Sequence, residues 1–258
     1  MQLTGIFDSH AHYDDPKFEE DREDLISSLS SNGIRAVLNA SSDMETSRNS
    51  FQLAHRYPFF WCAVGVHPHE AEGIEENYLE ELTQMSQDDK VVAIGEIGLD
   101  YHYDLSPRDI QKNVFRQQME LAKQLHLPVV IHSREATQDT LEVLNEFPEV
   151  TGVIHCFSGS AETAKQLLNM GYYIGFTGVI TFKNAKKTVS AAEVVPLDRM
   201  LIETDCPYMA PVPCRGKRCD STMLPYTVEK LAEIKQVSPQ ELVAHARENT
   251  CRLFGISL

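Results

Sequence analysis

The stretch VVAIGEIGLD, residues 91–100, is apolar on both of its alternating faces until it meets Glu96 and, at its end, Asp100. A strand with one wet face alternates apolar and polar residues. A near-continuous apolar run of this length instead marks a strand covered on both sides, as in a parallel sheet. Seven other runs have the same character: LTGIFDSHAH, IRAVLNAS, FFWCAVGVHP, LPVVIHS, TGVIHCFSG, YYIGFTG and RMLIETDCP. Helical patterns lie between them. Leu25, Ile26 and Leu29 form a stripe that ends before Gly33. Val114, Met119, Leu121 and Leu125 form a second, and Ala164, Leu167 and Leu168 a third that ends before Gly171. The glycines stand where a helix C-terminus favours a residue with positive φ.

Strand alternating with helix eight times predicts an α/β fold of the closed (β/α)8 type, a TIM barrel. An open doubly wound sheet is the rival, but no GxGxxG follows the first strand. The last segment, from Ser238, opens with a capping box of Ser238 and Glu241 and has Pro239 at its first helical position. Leu242, Val243, Ala246, Leu253 and Phe254 then suit a C-terminal helix packed on the barrel. No linker or low-complexity run divides the chain, so residues 1–258 read as one domain. The acidic run EEDRED at 19–24 reads as the solvated start of a helix.

Composition narrows the function. The formal net charge of -15 argues against a protein that coats long duplex DNA by electrostatics. It leaves room for a nucleic-acid enzyme whose cleft is locally positive. No apolar run is long enough to span a membrane, and no basic segment followed by an apolar one opens the chain, so a cytoplasmic location is the expectation. The six cysteines are dispersed, as free thiols in a reducing compartment would be. Cys156 and Cys206 each follow a candidate ligand, and strand alternation points them toward the outer helices. Cys214 and Cys219, with four residues between them, suit either a loop clip or a metal.

The chemistry is concentrated at the strand ends, where a TIM barrel carries its active site. The first run ends in FDSHAHY, residues 7–13, whose period of two sets Asp8, His10 and His12 on one face, with Asp8 deepest. The fourth ends in Glu96 and Asp100, the fifth in His132 and Arg134, the sixth in His155, and the eighth in Glu203 and Asp205. Polar residues that interrupt buried strands at one end need partners, and metal ions supply them. Six ligands exceed the needs of one tetrahedral zinc. Two divalent ions sharing a carboxylate fit better, as in phosphoester hydrolysis. His10, His12 and Asp205 are assigned to one ion, His132 and His155 to the other, and Glu96 to the bridge. Zn, Mn and Mg all accept such mixed N/O ligands.

FDSHAHY, GVHPHE, IGEIGLDYHYD, VIHSREA, HCFSG and ETDCPYMAP, in this order and over essentially the whole chain, resemble the TatD-type metal-dependent hydrolases of the amidohydrolase superfamily. The resemblance implies a TIM barrel, a one- or two-metal centre and hydrolysis of phosphodiester bonds, often as a deoxyribonuclease. It carries over to the same six ligands and suggests Asp205 as the base that takes a proton from the attacking water. Many amide-hydrolysing relatives bridge their ions with a carboxylated lysine on strand four. Glu96 stands there instead, which favours phosphodiester chemistry.

Glu203 and Asp8 are expected to support the ligands from behind or to serve the fold alone. Substrate contacts are expected from the loops: His67 in GVHPHE, which with His69 could equally cap its loop, then Tyr101, Arg134, Lys183 and Arg215. The loop PCRGKRCD, 213–220, departs from the family pattern by placing Cys214 and Cys219 around its basic residues. The expected partner is DNA or another phosphodiester substrate, with no membrane and no obligate protein partner. An acyl-ester or amide hydrolase, such as an aminoacyl-tRNA deacylase, is the enzymatic alternative. A non-catalytic metal or nucleic-acid binding protein is the other.

Overall fold

A computed structural model describes residues 3–258. Eight parallel strands follow one another in chain order around a single sheet. They are β1 (Ile6–Ala11), β2 (Ile34–Asn39), β3 (Phe60–Val64), β4 (Val91–Asp100), β5 (Val129–Arg134), β6 (Gly152–Ile154), β7 (Tyr173–Phe176) and β8 (Met200–Ile202). Helices α1 (Arg22–Leu29), α2 (Met44–Arg56), α3 (Tyr78–Met85), α4 (Arg108–Leu125), α5 (Thr137–Glu146), α6 (Ala161–Asn169), α7 (Lys186–Val194) and α8 (Leu224–Lys235) each follow their strand, and α9 (Pro239–Phe254) ends the chain. All eight sequence runs therefore became strands, and the TIM barrel is the fold.

The seam between β8 and β1 is closed by few bonds. Asp205 N donates to His10 O at 2.9 Å and His12 N donates to Cys206 O at 2.8 Å. Asp8 adds a side-chain clasp: Oδ1 accepts from Thr204 N at 2.9 Å, and Oδ2 accepts from Thr204 Oγ1 and Ser221 Oγ, each at 2.6 Å.

The core has two layers. Ile6, Val37, Cys62, Ile94, Ile131, Ile174 and Ile202 face helix residues such as Ile26, Leu82, Phe115 and Leu231. Phe7, Leu38, Ala63, Ala93, Val130, Val153, Tyr173 and Leu201 form a second cluster inside the barrel, which Leu253 and Phe254 of α9 and Ile256 close from below. Ser238 caps α9 by accepting from Glu241 N at 3.2 Å, which is one half of the expected capping box. The helix stops at Gly33 and Gly171 are also in place, with φ of 86° and 90°. The acidic run at 19–24 stands at the start of α1 and is solvated as expected, with Glu19, Glu20, Glu23 and Asp24 exposed, and it carries two surface ion pairs. Asp21 holds Arg218 in a two-pronged pair at 2.7 and 2.6 Å, and Glu23 pairs with Arg56 at 2.6 Å.

Two sequence expectations need correction. Asp8 and His10 do not share a face. The pairing of β1 with β2 slips between Asp8 and Ala11, so Asp8 turns outward to Thr204 and Ser221 while His10 turns inward. A bulge inserts one residue and reverses the alternation beyond it. Cys156 is not the outward residue of a strand either. β6 ends at Ile154, Cys156 has φ 45°, and its thiol lies 3.5 Å from Thr177 Oγ1. All six cysteines are free thiols.

Candidate metal centre

The C-terminal ends of β1, β4, β5, β6 and β8 bring His10, His12, Glu96, His132, His155 and Asp205 together above the apolar interior. Irregular backbone aims three of them. The β1 slip turns His10 inward, and a second slip, between Ile94 and Ile97 on β4, does the same for Glu96. Asp205 sits in the left-handed region with φ 58°. Such conformations are costly for a non-glycine residue and persist where the surroundings impose them, often at functional sites. Gly98, with φ 139°, lets β4 press against β5 between the two β4 carboxylates; a Cβ there would lie 2.0 Å from His132 O.

Glu96 presents one oxygen to each of two donor sets. Its Oε2 lies 3.4 Å from His10 Nε2 and 3.7 Å from His12 Nε2. These two nitrogens are 3.1 Å apart, and Asp205 Oδ1 is 3.4 Å from His12 Nε2 and 3.8 Å from His10 Nε2. Its Oε1 lies 2.7 Å from His155 Nε2 and 2.9 Å from His132 Nδ1, themselves 3.2 Å apart. Ligands held about 2.0–2.2 Å from one ion stand about 3–3.5 Å from each other, which is close to the spacing in both sets.

The second nitrogens of two histidines fix which lone pair faces inward. His12 Nδ1–H donates to Ala40 O at 3.0 Å, so its neutral form offers Nε2. His132 Nε2–H donates to Asp100 Oδ2 at 3.1 Å, so its neutral form offers Nδ1. Such anchoring by a carbonyl or carboxylate is the usual support of a metal-binding imidazole. His10 and His155 stack with ring centroids 4.0 Å apart, and their Nδ1 atoms are buried without a hydrogen-bond partner. The donor chemistry thus fits divalent ions.

Charge within the site is strongly coupled. Burial opposes charge on His12, but Asp205 and Glu96 outweigh it and raise the imidazole to about 9. Burial also opposes charge on His132, where Asp100 and Glu96 prevail and the value again reaches about 9. His10 is driven down to about 4 by burial and by His155. Burial raises the carboxylates of Glu96 and Asp205, yet the surrounding histidines overcome it and keep both low. Below them, Glu203 is raised to about 7 by burial; it accepts from Cys156 N and, at 3.3 Å, from Ser9 Oγ. Gly175 makes room for it, since a Cβ there would stand 2.4 Å from Glu203 Oε2. Asp8 is raised to about 6, also by burial, against four side-chain and backbone donors from Ser221, Thr204 and His10.

The expected substrate contacts are less uniform. His67 Nε2 is 3.6 Å from Glu96 Oε1 and close enough to count among possible ligands. However, its Nδ1 accepts from His69 N at 3.2 Å, so the proton is on Nε2 and the ring offers the site a donor rather than a lone pair. Tyr101 turns away: its hydroxyl donates to Asp139 on α5 at 2.6 Å and Arg108 covers its ring. Arg134 lies over Tyr103 and Arg215 over Phe182. Lys183 is exposed on the loop after β7.

Asp100 was visible at the end of β4, but no role followed from the sequence. In the structure it is the hub that joins the ends of β4 and β5 to the loop after β3. It accepts from His132 and, at 2.9 Å, from His69 Nε2, while His102 N and Tyr103 N donate to its other oxygen, each at 2.9 Å. The signal for it was present: Glu96, Gly98 and Asp100 recur at a period of two within one strand.

A family model described as TatD related DNase matches residues 7–255. The chain belongs to the TatD family. It is 41% identical to the uncharacterized metal-dependent hydrolase YabD of Bacillus subtilis, over 98% of this chain and 100% of that one. It is 30% identical to a 3'-5' ssDNA/RNA exonuclease TatD of Citrobacter rodentium, over 98% and 99% respectively. Among solved structures, the TatD homolog YJJV of Escherichia coli superposes with a TM-score of 0.92 at 31% identity, covering 98% of this chain and 99% of that one. This TatD-family chain is accordingly a metal-dependent hydrolase. Among its described residues, no helix is long and apolar enough to cross a membrane.

Proposed function

We propose that this TatD-family protein is a two-metal phosphodiesterase that removes nucleotides from the ends of single-stranded DNA or related nucleic acid. The observation that carries the proposal is the division of Glu96: one carboxylate oxygen for His10 and His12, the other for His132 and His155. That division suits a shared bridge between two ions, as the ligand assignment from sequence has it. Divalent ions in these positions would lower the proton affinity of water and neutralise charge on the phosphoryl oxygens.

The residues of the chain supply the rest. Asp205, held ionised by its histidine neighbours, is the base for the attacking water. His67 Nε2–H is a donor for a phosphoryl oxygen, which fits its expected role in substrate contact. Asp100 orients His132, and Glu203 supports the floor beneath His155, with its Oε1 3.8 Å from His155 Nδ1. The printed activity of the Citrobacter rodentium relative supports a nucleic-acid substrate.

A panel of single-stranded DNA, a chromogenic phosphodiester and an acylated tRNA, each with Mg, Mn and Zn, tests the proposal. Cleavage of the first two that depends on an added ion and disappears in Asp205→Asn is the expected result. Turnover of the acylated tRNA alone would replace the proposal with the acyl-ester reading.

A further inference from the structure

We propose that Tyr103 and Tyr208 are stacking platforms for the bases of a single strand, one on each side of the metal centre. The inference rests on the nucleic-acid reading above. Both rings are exposed, at 54% and 46%, in a protein whose other aromatics are mostly covered. Both lie in loops at the C-terminal end of the barrel, Tyr103 after β4 and Tyr208 after β8. These strands stand half a turn apart in the eight-strand order, so the two rings flank the mouth from opposite walls.

Neither ring is a loose surface residue. Each follows a site aspartate by three positions and its backbone is anchored there: Tyr103 N donates to the carboxylate Oδ1 of Asp100 at 2.9 Å, and Tyr208 N donates to the main-chain carbonyl of Asp205 at 2.9 Å. The Tyr103 ring is buttressed edge-on by His69, with centroids 5.4 Å apart. Tyr208 is steadied by its hydroxyl, which donates to Asp15 Oδ2 at 3.0 Å. An apolar ring held rigid and wet has already lost the rotamer freedom that binding would otherwise remove.

Each ring also carries a cation. Arg134 lies 4.7 Å from the Tyr103 centroid, and Lys17 Nζ lies 4.0 Å from that of Tyr208. A third pair, Arg215 over Phe182 at 4.3 Å, lies on the loops after β8 and β7, on the Tyr208 side. A lone exposed aromatic on a surface needs no explanation. Aromatic–cation pairs on both walls of one mouth, in a chain of net charge -15, match a ligand with flat rings and an anionic backbone. Stacking accepts any base, because every base has a π-face, but the base must be free of its duplex partner and neighbours. The platforms thus select single strands without selecting sequence.

The experiment compares a deoxythymidine oligonucleotide with an abasic strand of equal length, in the presence of Mn. The wild type is expected to favour the base-bearing strand in kcat/KM, chiefly through KM. Tyr103→Ala and Tyr208→Ala are each expected to shrink that preference about five- to a hundredfold, whereas Tyr103→Phe and Tyr208→Phe retain it. Circular dichroism checks that each variant is folded. As an independent measurement, Tyr208→Trp and Tyr103→Trp are titrated with both strands, and only the base-bearing strand is expected to quench the new indole fluorescence. Equal kcat/KM for the two strands in the wild type, or equal quenching by both, would overturn the platforms. If neither strand is cleaved with any ion, the nucleic-acid phosphodiesterase proposal falls, and the quenching titration alone decides the platforms.

Discussion

The two ends of the barrel are made by the same strands and differ in almost every physical respect. At the N-terminal end, Phe7, Leu201 and their neighbours meet Leu253, Phe254 and Ile256 in a dry apolar plug. At the C-terminal end, the strands slip in register beside His10 and Glu96, and Cys156 and Asp205 take left-handed backbone. Buried imidazoles and carboxylates crowd there, some with unpartnered nitrogens. The lesson is a division of labour: the apolar end stabilises the barrel, and the polar end gathers the donors that suit ions.

Four measurements would break or sharpen that division. The largest effect is expected from Glu96→Gln, which removes the shared carboxylate: hydrolysis falls at least about 10²–10³-fold, and elemental analysis finds fewer ions per chain. Full metal content in this variant would end the bridging assignment. At the other pole, Phe254→Ala should cost about 3–5 kcal/mol in urea unfolding while the folded variant keeps the wild-type metal content. A loss of ions out of proportion to the loss of fold would show that the two ends are not separable.

Asp100→Asn tests the support of His132 and should weaken ion binding about 10–100-fold by calorimetric titration, leaving the global melting transition almost in place. The remaining test varies the protons rather than the chain. His12 and His132 each stand at about 9 before an ion enters. An ion needs their lone pairs, so protons compete below that value and ion affinity falls as pH falls. Each histidine contributes up to about tenfold per pH unit between pH 9 and 7. Ion affinity that stays level across this range would show that neither proton has to leave.

Much of this was legible in the chain. Eight apolar runs named eight strands, because a strand buried on both sides must be apolar throughout. Polar residues at the ends of five of them named the six side chains that the fold gathers, because polar groups are tolerated in such runs only where they find partners. The loop residues were less legible. Tyr101 is adjacent to the site in sequence yet bonded to Asp139, and Tyr103, two residues on, is exposed and edge-on to His69.

Sequence alone determined the barrel and the six candidate ligands at its mouth, since periodicity and residue type are properties of short segments. Only the tertiary structure decided how they face. The slips that turn His10 and Glu96 inward and Asp8 outward depend on which carbonyl of the neighbouring strand accepts each N–H. The tautomers of His67 and His132 depend on donors and acceptors brought from other segments. A one-residue slip reverses every later side chain, and no local pattern announces it.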